Sequence, residues 1–91
     1  MGEDEAEALA IGALSFIAGD DELMTRFVSL TGLDVSDLRK AASEPGFLVG
    51  VLDFLAGHDP DLIAFADAAD VAPESIVKAR HTLAKDHAGY E

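Results

Sequence analysis

The chain has 91 residues, 9.5 kDa, enough for one domain and not for two independent ones. Hydrophobic residues make up 49% and charged residues 26%, a globular rather than a disordered composition. Eighteen acids against six bases give a formal net charge of -12, which opposes non-specific binding to nucleic acid or to an anionic membrane.

The absence of cysteine removes disulfides and thiolate metal sites, and fits a reducing cytoplasm. Met1-Gly2-Glu3-Asp4-Glu5 lacks the positive charge of a secretory signal. Ala6 stands where a myristoylation motif needs Ser or Thr. The longest apolar stretch, Ala8 to Gly19, is 12 residues, short of the roughly 20 that span a bilayer. The expectation is a soluble cytoplasmic protein with no membrane contact.

No alternating strand pattern or hairpin signal occurs, whereas helix punctuation recurs along the chain. Residues 1–7 form an acidic N-terminal segment open to fraying. Acids in the first turn open a first helix, from about Asp4 to Ala18, that stops at Gly19. A second starts at Asp20 or Asp21 and ends near Thr31, with Gly32 as a left-handed stop. Asp34, with Asp37 three residues on, caps a third that runs to about Ala42. Pro45 sits in the first turn of a fourth, which ends at Gly57. Asp59-Pro60 opens a fifth, ending near Asp70. Pro73-Glu74 opens a sixth, to about Asp86, and 87–91 are a tail.

Shifted by 38 residues, the chain overlays on itself. Gly12 meets Gly50, Phe16 meets Phe54, Gly19 meets Gly57, Asp21 meets Asp59, Phe27 meets Phe65 and Lys40 meets Lys78. Across Ala8 to Ala41 there are nine identities in 34 positions, without a gap. The fold class expected is all-α: about six helices in one domain, as two tandem three-helix units (8–44 and 45–86) related by internal duplication.

The first and fourth helices are nearly free of charge, so they are expected at the centre. Each carries a stripe of small or polar residues at helical spacing: Ala8, Gly12, Ser15 and Gly19; Gly46, Gly50, Asp53 and Gly57. The stripes either face each other or water, or form a groove for a partner helix centred on Asp53. The remaining core is expected from Leu9, Ala13, Phe16, Ile17, Leu23, Phe27, Leu30, Leu33, Leu38, Phe47, Val51, Leu52, Phe54, Leu55, Leu62, Phe65, Ala66, Val71, Ile76 and Leu83.

Chemistry is sparse. His58, His81 and His87 have no i, i+4 pairing. Asp59 and Asp61 begin like a calcium loop, but Leu62-Ile63-Ala64 follow where oxygen ligands are needed. No serine sits in a Gly-x-Ser-x-Gly context, and no glycine-rich phosphate loop carries a lysine. The expectation is no catalytic, metal or cofactor site.

The segment Phe65 to Arg80 resembles a helix-turn-helix, with Ala66, Val71, Ser75 and Ile76 at matching positions but Asp70 in place of the turn glycine. Phe27 to Lys40 offers the same pattern with Gly32 present. Five of the six basic residues, Arg39, Lys40, Lys78, Arg80 and Lys85, lie in the third and sixth helices. A recognition helix reads bases from its N-terminal residues, which here are Ser36 and Asp37, then Glu74 and Ser75. Nucleic-acid binding through Arg39, Lys40, Lys78 and Arg80 is the alternative to a protein-binding role.

Arg26-Phe27, Leu30-Thr31-Gly32-Leu33-Asp34 and Glu44-Pro45-Gly46-Phe47-Leu48 resemble segments of a family of small helical proteins from alphaproteobacteria, a domain-of-unknown-function family. The resemblance runs from about Glu5 to Leu83. It implies a helical, bacterial, cytoplasmic protein and brings no activity, cofactor or functional residue. Arg26 faces Ala64 in the 38-residue register, so it breaks the repeat. Its expected role is an ion pair anchoring the second helix, for instance to Asp53 or to an N-terminal acid. The leading reading is a non-enzymatic acidic interaction module binding an unknown protein partner, or itself as a homodimer. Gly46, Gly50, Asp53 and Arg26 are its candidate surface.

Overall fold

The computed structural model describes residues 2–41 and 43–88, with no account given of the side chains of Val35, Arg39, Pro45 and residues 85–88. The described residues form six helices: α1 (Glu3–Ala18), α2 (Asp21–Thr31), α3 (Val35–Ala41), α4 (Pro45–Ala56), α5 (Asp59–Ala69) and α6 (Pro73–Ala88). Among them there is no strand. Ala42, where the third helix was expected to stop, and residues 89–91 of the tail lie outside the described residues. Residues 3–7 are the opening turns of α1, and Ala6 is buried.

Local chemistry sets the helix ends. The Asp20 carboxylate accepts from the N–H groups of Glu22 (3.0 Å) and Leu23 (3.1 Å), satisfying two donors that α2 leaves open. Gly32, at φ 73°, closes α2 in the left-handed region, which glycine enters without steric penalty. Asp70 adopts the same conformation after α5, at φ 57°, and the Val71 N–H reaches back to the Ala66 carbonyl at 2.9 Å. The Asp34 carboxylate accepts from the Ser36 hydroxyl (2.7 Å) and the Asp37 N–H (3.2 Å), while Asp37 accepts from the Asp34 N–H (3.3 Å). These bonds, the Ser36 hydroxyl first, hold the Asp34 carboxyl below its ordinary value. The residue before α5 is His58, not Asp59, and its ring bonds the Asp61 side chain instead of the backbone.

The centre consists of α1, α4 and α6 packed on one another. Helix α1 contributes Ile17 and three alanines, Ala6, Ala10 and Ala13, whose small side chains let it lie close to its neighbours. Helix α4 contributes Leu48, Val51, Leu52 and Leu55, and α6 contributes Ile76, Ala79 and Leu83. Helices α2 and α5 lie against α1 and α4 respectively, inserting Leu23 and Phe27 from one and Phe65 and Ala66 from the other. Leu30 was expected in the core and is 72% exposed, because it sits in the last turn of α2, past the reach of the central helices. Ala6, Ala10, Leu48 and Ala79 are buried though absent from the expected core.

Helix limits recur with the 38-residue spacing: α1 and α4 end at Ala18 and Ala56, and α2 and α5 run Asp21–Thr31 and Asp59–Ala69. Four of the five phenylalanines follow it too, and the fifth, Phe47, stands opposite Leu9. Phe16 pairs with Phe65 at 5.3 Å between ring centroids, and the 38-residue equivalents Phe54 and Phe27 pair at 5.2 Å. The third helices differ. Helix α6 packs on both α1 and α4, while the seven-residue α3 has no comparable packing and buries Leu38.

Candidate functional site

Three features gather the polar and open apolar surface. The first is an ion-pair cluster between α2 and α5. Arg26 donates from Nη2 to Asp61 Oδ2 at 2.5 Å, and His58 Nδ1 lies 2.9 Å from the same oxygen. The Arg26 guanidinium also lies over the Phe54 ring, 5.5 Å from its centroid, while its Nε is buried without a hydrogen-bond partner. The expected pairing of Arg26 with Asp53 is therefore replaced. Asp61, on the first turn of α5, faces α2, whereas Asp53 points toward α6 and accepts from Arg80 Nε.

The second feature is the stripe Gly46, Gly50 and Asp53. All three are exposed, and the space beside Gly50 is open. Asp53 is engaged with Arg80, and Arg26 is turned toward α5, so the four residues proposed from sequence do not converge on one point. Of the basic residues, Lys40 on α3 and Lys78 on α6 are exposed, and Arg80 is held by Asp53. The side chains of Arg39 and Lys85, and of His87, lie outside the described residues.

The third feature was not expected. A trough of about 420 Å³ runs between α1 and α5, floored by Leu9, Phe16 and Phe65 and walled by Ala8, Gly12, Ser15, Ala68 and Ala69. A Cβ added at Gly12 would touch Phe65 Cζ at 3.9 Å, so the glycine sits directly over the aromatic floor. The trough continues past Ala8 and Leu9 into a hollow bounded by Glu5, Val71 and Ser75. Its sequence signal was half visible: the Ala8, Gly12, Ser15 stripe was legible, but nothing local pairs it with Ala68 and Ala69. Among the described residues, no group of three or more His, Asp or Glu could hold a metal ion. Nor among them is any helix long and apolar enough to cross a membrane.

A family model described as "Protein of unknown function (DUF3572)" matches residues 3–86. The chain belongs to the DUF3572 family. Neither the curated proteins nor the solved structures contain a match. The DUF3572 match spans α1 to α5 and most of α6, so both ion pairs and the trough lie within the family's own domain.

Proposed function

We propose that this chain is a non-enzymatic interaction module, which binds a protein partner or a second copy of itself through apolar helix surface. The observation that carries the reading is the open trough between α1 and α5, where Leu9 and Phe16 stay partly in water beside Ala8 and Ala68. Apolar side chains arranged along one concavity are a recognition feature, whereas scattered exposed ones such as Ile11, Leu30 and Val77 are ordinary. A reducing, cytoplasmic setting agrees with a chain that has no cysteine. The matching helix limits and the two equivalent phenylalanine pairs support reading the 38-residue repeat as an internal duplication.

The test is recovery of the tagged full chain from its native cytosol, with and without nuclease, alongside light scattering of the purified protein. A nuclease-resistant protein partner, or a stable dimer, is the expected result. Partners lost on nuclease treatment would favour the nucleic-acid alternative through Lys40, Lys78 and their neighbours. A monomer that recovers nothing would refute the module.

A further inference from the structure

We infer that the trough between α1 and α5 is the docking site for a cationic amphipathic helix of a partner protein. The inference rests on the interaction-module reading and adds the place and the chemistry of the partner.

Shape comes first. From Glu5 to Ser15 the trough follows eleven residues of α1, about 15 Å, or three turns of an incoming helix. Ala8, Gly12 and Ala68 make low walls, so a helix can approach until its own side chains reach Phe16 and Phe65. An apolar face at i, i+3/i+4 and i+7 fits such a floor.

The equivalent place 38 residues away explains why this trough is open. Phe47 replaces Leu9 there, and Arg26 replaces Ala64. Phe47 packs edge-on against Phe27 at 5.9 Å, and the Arg26 guanidinium covers Phe54. That aromatic pair is roofed by its own chain. The Phe16–Phe65 pair has smaller residues beside it and lacks that roof.

Charge selects the occupant. Helices α1 and α5 carry Glu3, Asp4, Glu5, Glu7, Asp59, Asp61 and Asp67 and not one lysine or arginine. Asp61 is occupied by Arg26, but Glu5 stands at one end of the trough, and Asp67 and Asp70 border a hollow at the neighbouring α5–α6 corner. A second copy would bring another net charge of -12, and a nucleic acid or anionic membrane would bring the same sign. Lysines and arginines flanking an apolar stripe complement Glu5 at the end of the trough and the chain's net negative charge.

The test is selection from a display library of helix-biased peptides, each roughly four turns long to overhang the three-turn trough, on the intact chain at physiological salt. Enriched peptides should carry Leu or Phe at helical spacing between Lys and Arg. A selected peptide should bind Ala8→Lys and Ala68→Lys at least about tenfold more weakly, and Leu30→Lys unchanged. Both trough positions are exposed, so thermal melts should match the parent. Binding should also weaken as salt is raised. Enrichment of acidic or uncharged peptides overturns the inference. So do indifference to both trough variants, loss of binding on Leu30→Lys alone, and enrichment of no peptide at all. A cytosolic partner that persists through such a failure leaves the module reading standing with its surface elsewhere. Failure of the cytosolic recovery as well removes both.

Discussion

The Arg26–Asp61 pair should be energetically coupled. Arg26→Met removes the Nη2 bond, leaves an Asp61 side chain that is only 16% exposed with His58 as its remaining partner, and deletes a cation–π contact with Phe54. The last of these contributes about 0.5–1 kcal/mol. With charge centres about 4 Å apart, the attraction is about 1 kcal/mol in water-like surroundings and about 4 kcal/mol at an effective dielectric constant of 20. The Arg26 side chain is 42% exposed, so solvent screening pulls the value toward the lower figure. We expect each of Arg26→Met and Asp61→Asn to destabilise by about 2 kcal/mol, with a coupling of about 1–2 kcal/mol between them. The double variant should then be little worse than either single one. Urea denaturation at constant slope reads these values directly, and each kcal/mol corresponds to about 4–8 °C in Tm for a domain of this size. The parallel cycle between Arg26 and Asp53 should be additive, because Asp53 is bonded to Arg80. Additivity within about 0.5 kcal/mol for Arg26/Asp61, or coupling beyond that for Arg26/Asp53, would refute the assignment.

Phe27→Ala should cost about 3–5 kcal/mol, since Phe27 is buried between Phe47 and Phe54, while Leu30→Ala on the same helix should stay within about 0.5 kcal/mol; equal chemical-denaturation midpoints for the two would contradict the packing. Asp20→Ala should lower stability by about 1 kcal/mol and raise hydrogen exchange at Glu22 and Leu23, whose N–H groups it accepts. Gly32→Ala should destabilise by about 1 kcal/mol through backbone strain alone, since nothing crowds the site, and Asp70→Gly should stabilise; a melt in which Gly32→Ala is neutral would deny the left-handed turn. The Asp34 carboxyl should titrate by NMR below its ordinary 3.8, and Ser36→Ala should move the midpoint upward. Its folded value is depressed, so its stabilisation of the start of α3 is complete above the ordinary value and is lost as pH falls through the folded one. A midpoint at or above 3.8 removes Asp34 as the cap.

Helix number and limits were legible in the sequence because capping is local chemistry. Asp20, Gly32 and Asp34 act on residues within a few positions of themselves, and each is found in the role its spacing predicts. The side of each helix that faces the core was legible for Leu23 and Phe27 of α2, where apolar residues recur at helical spacing among polar ones. It was less legible in α1, which is apolar nearly all round. There three alanines and Ile17, and not Leu9 and Phe16, are the fully buried residues. Composition cannot show that preference, because it arises from how closely α1 approaches α4 and α6. The partners of Arg26 and Asp53 were hidden for the same reason. They depend on the rotation of α5 and α6 about the central pair, and the two acids are equivalent in sequence.

The departure of α3 from α6 follows from one proline. The two helices begin at equivalent positions, Val35 and Pro73, and carry matching Leu38 and Ile76. The first then meets Glu44-Pro45, which disfavours a helical residue before the proline and starts α4 instead. The second meets no proline and continues through Leu83 to Ala88, adding two turns. Among its described side chains α3 thus has one buried anchor, while α6 has Ile76, Ala79 and Leu83 at i, i+3 and i+7, a stripe long enough to fill the space between α1 and α4. That placement of α6 draws Arg80 onto Asp53 and brings the α5–α6 corner, with Val71 and Ser75, against the N-terminal half of α1. A near-repeat in sequence therefore builds two unlike surfaces. One is roofed by Phe47 and Arg26. The other, between α1 and α5, is left open with Glu5 at one end.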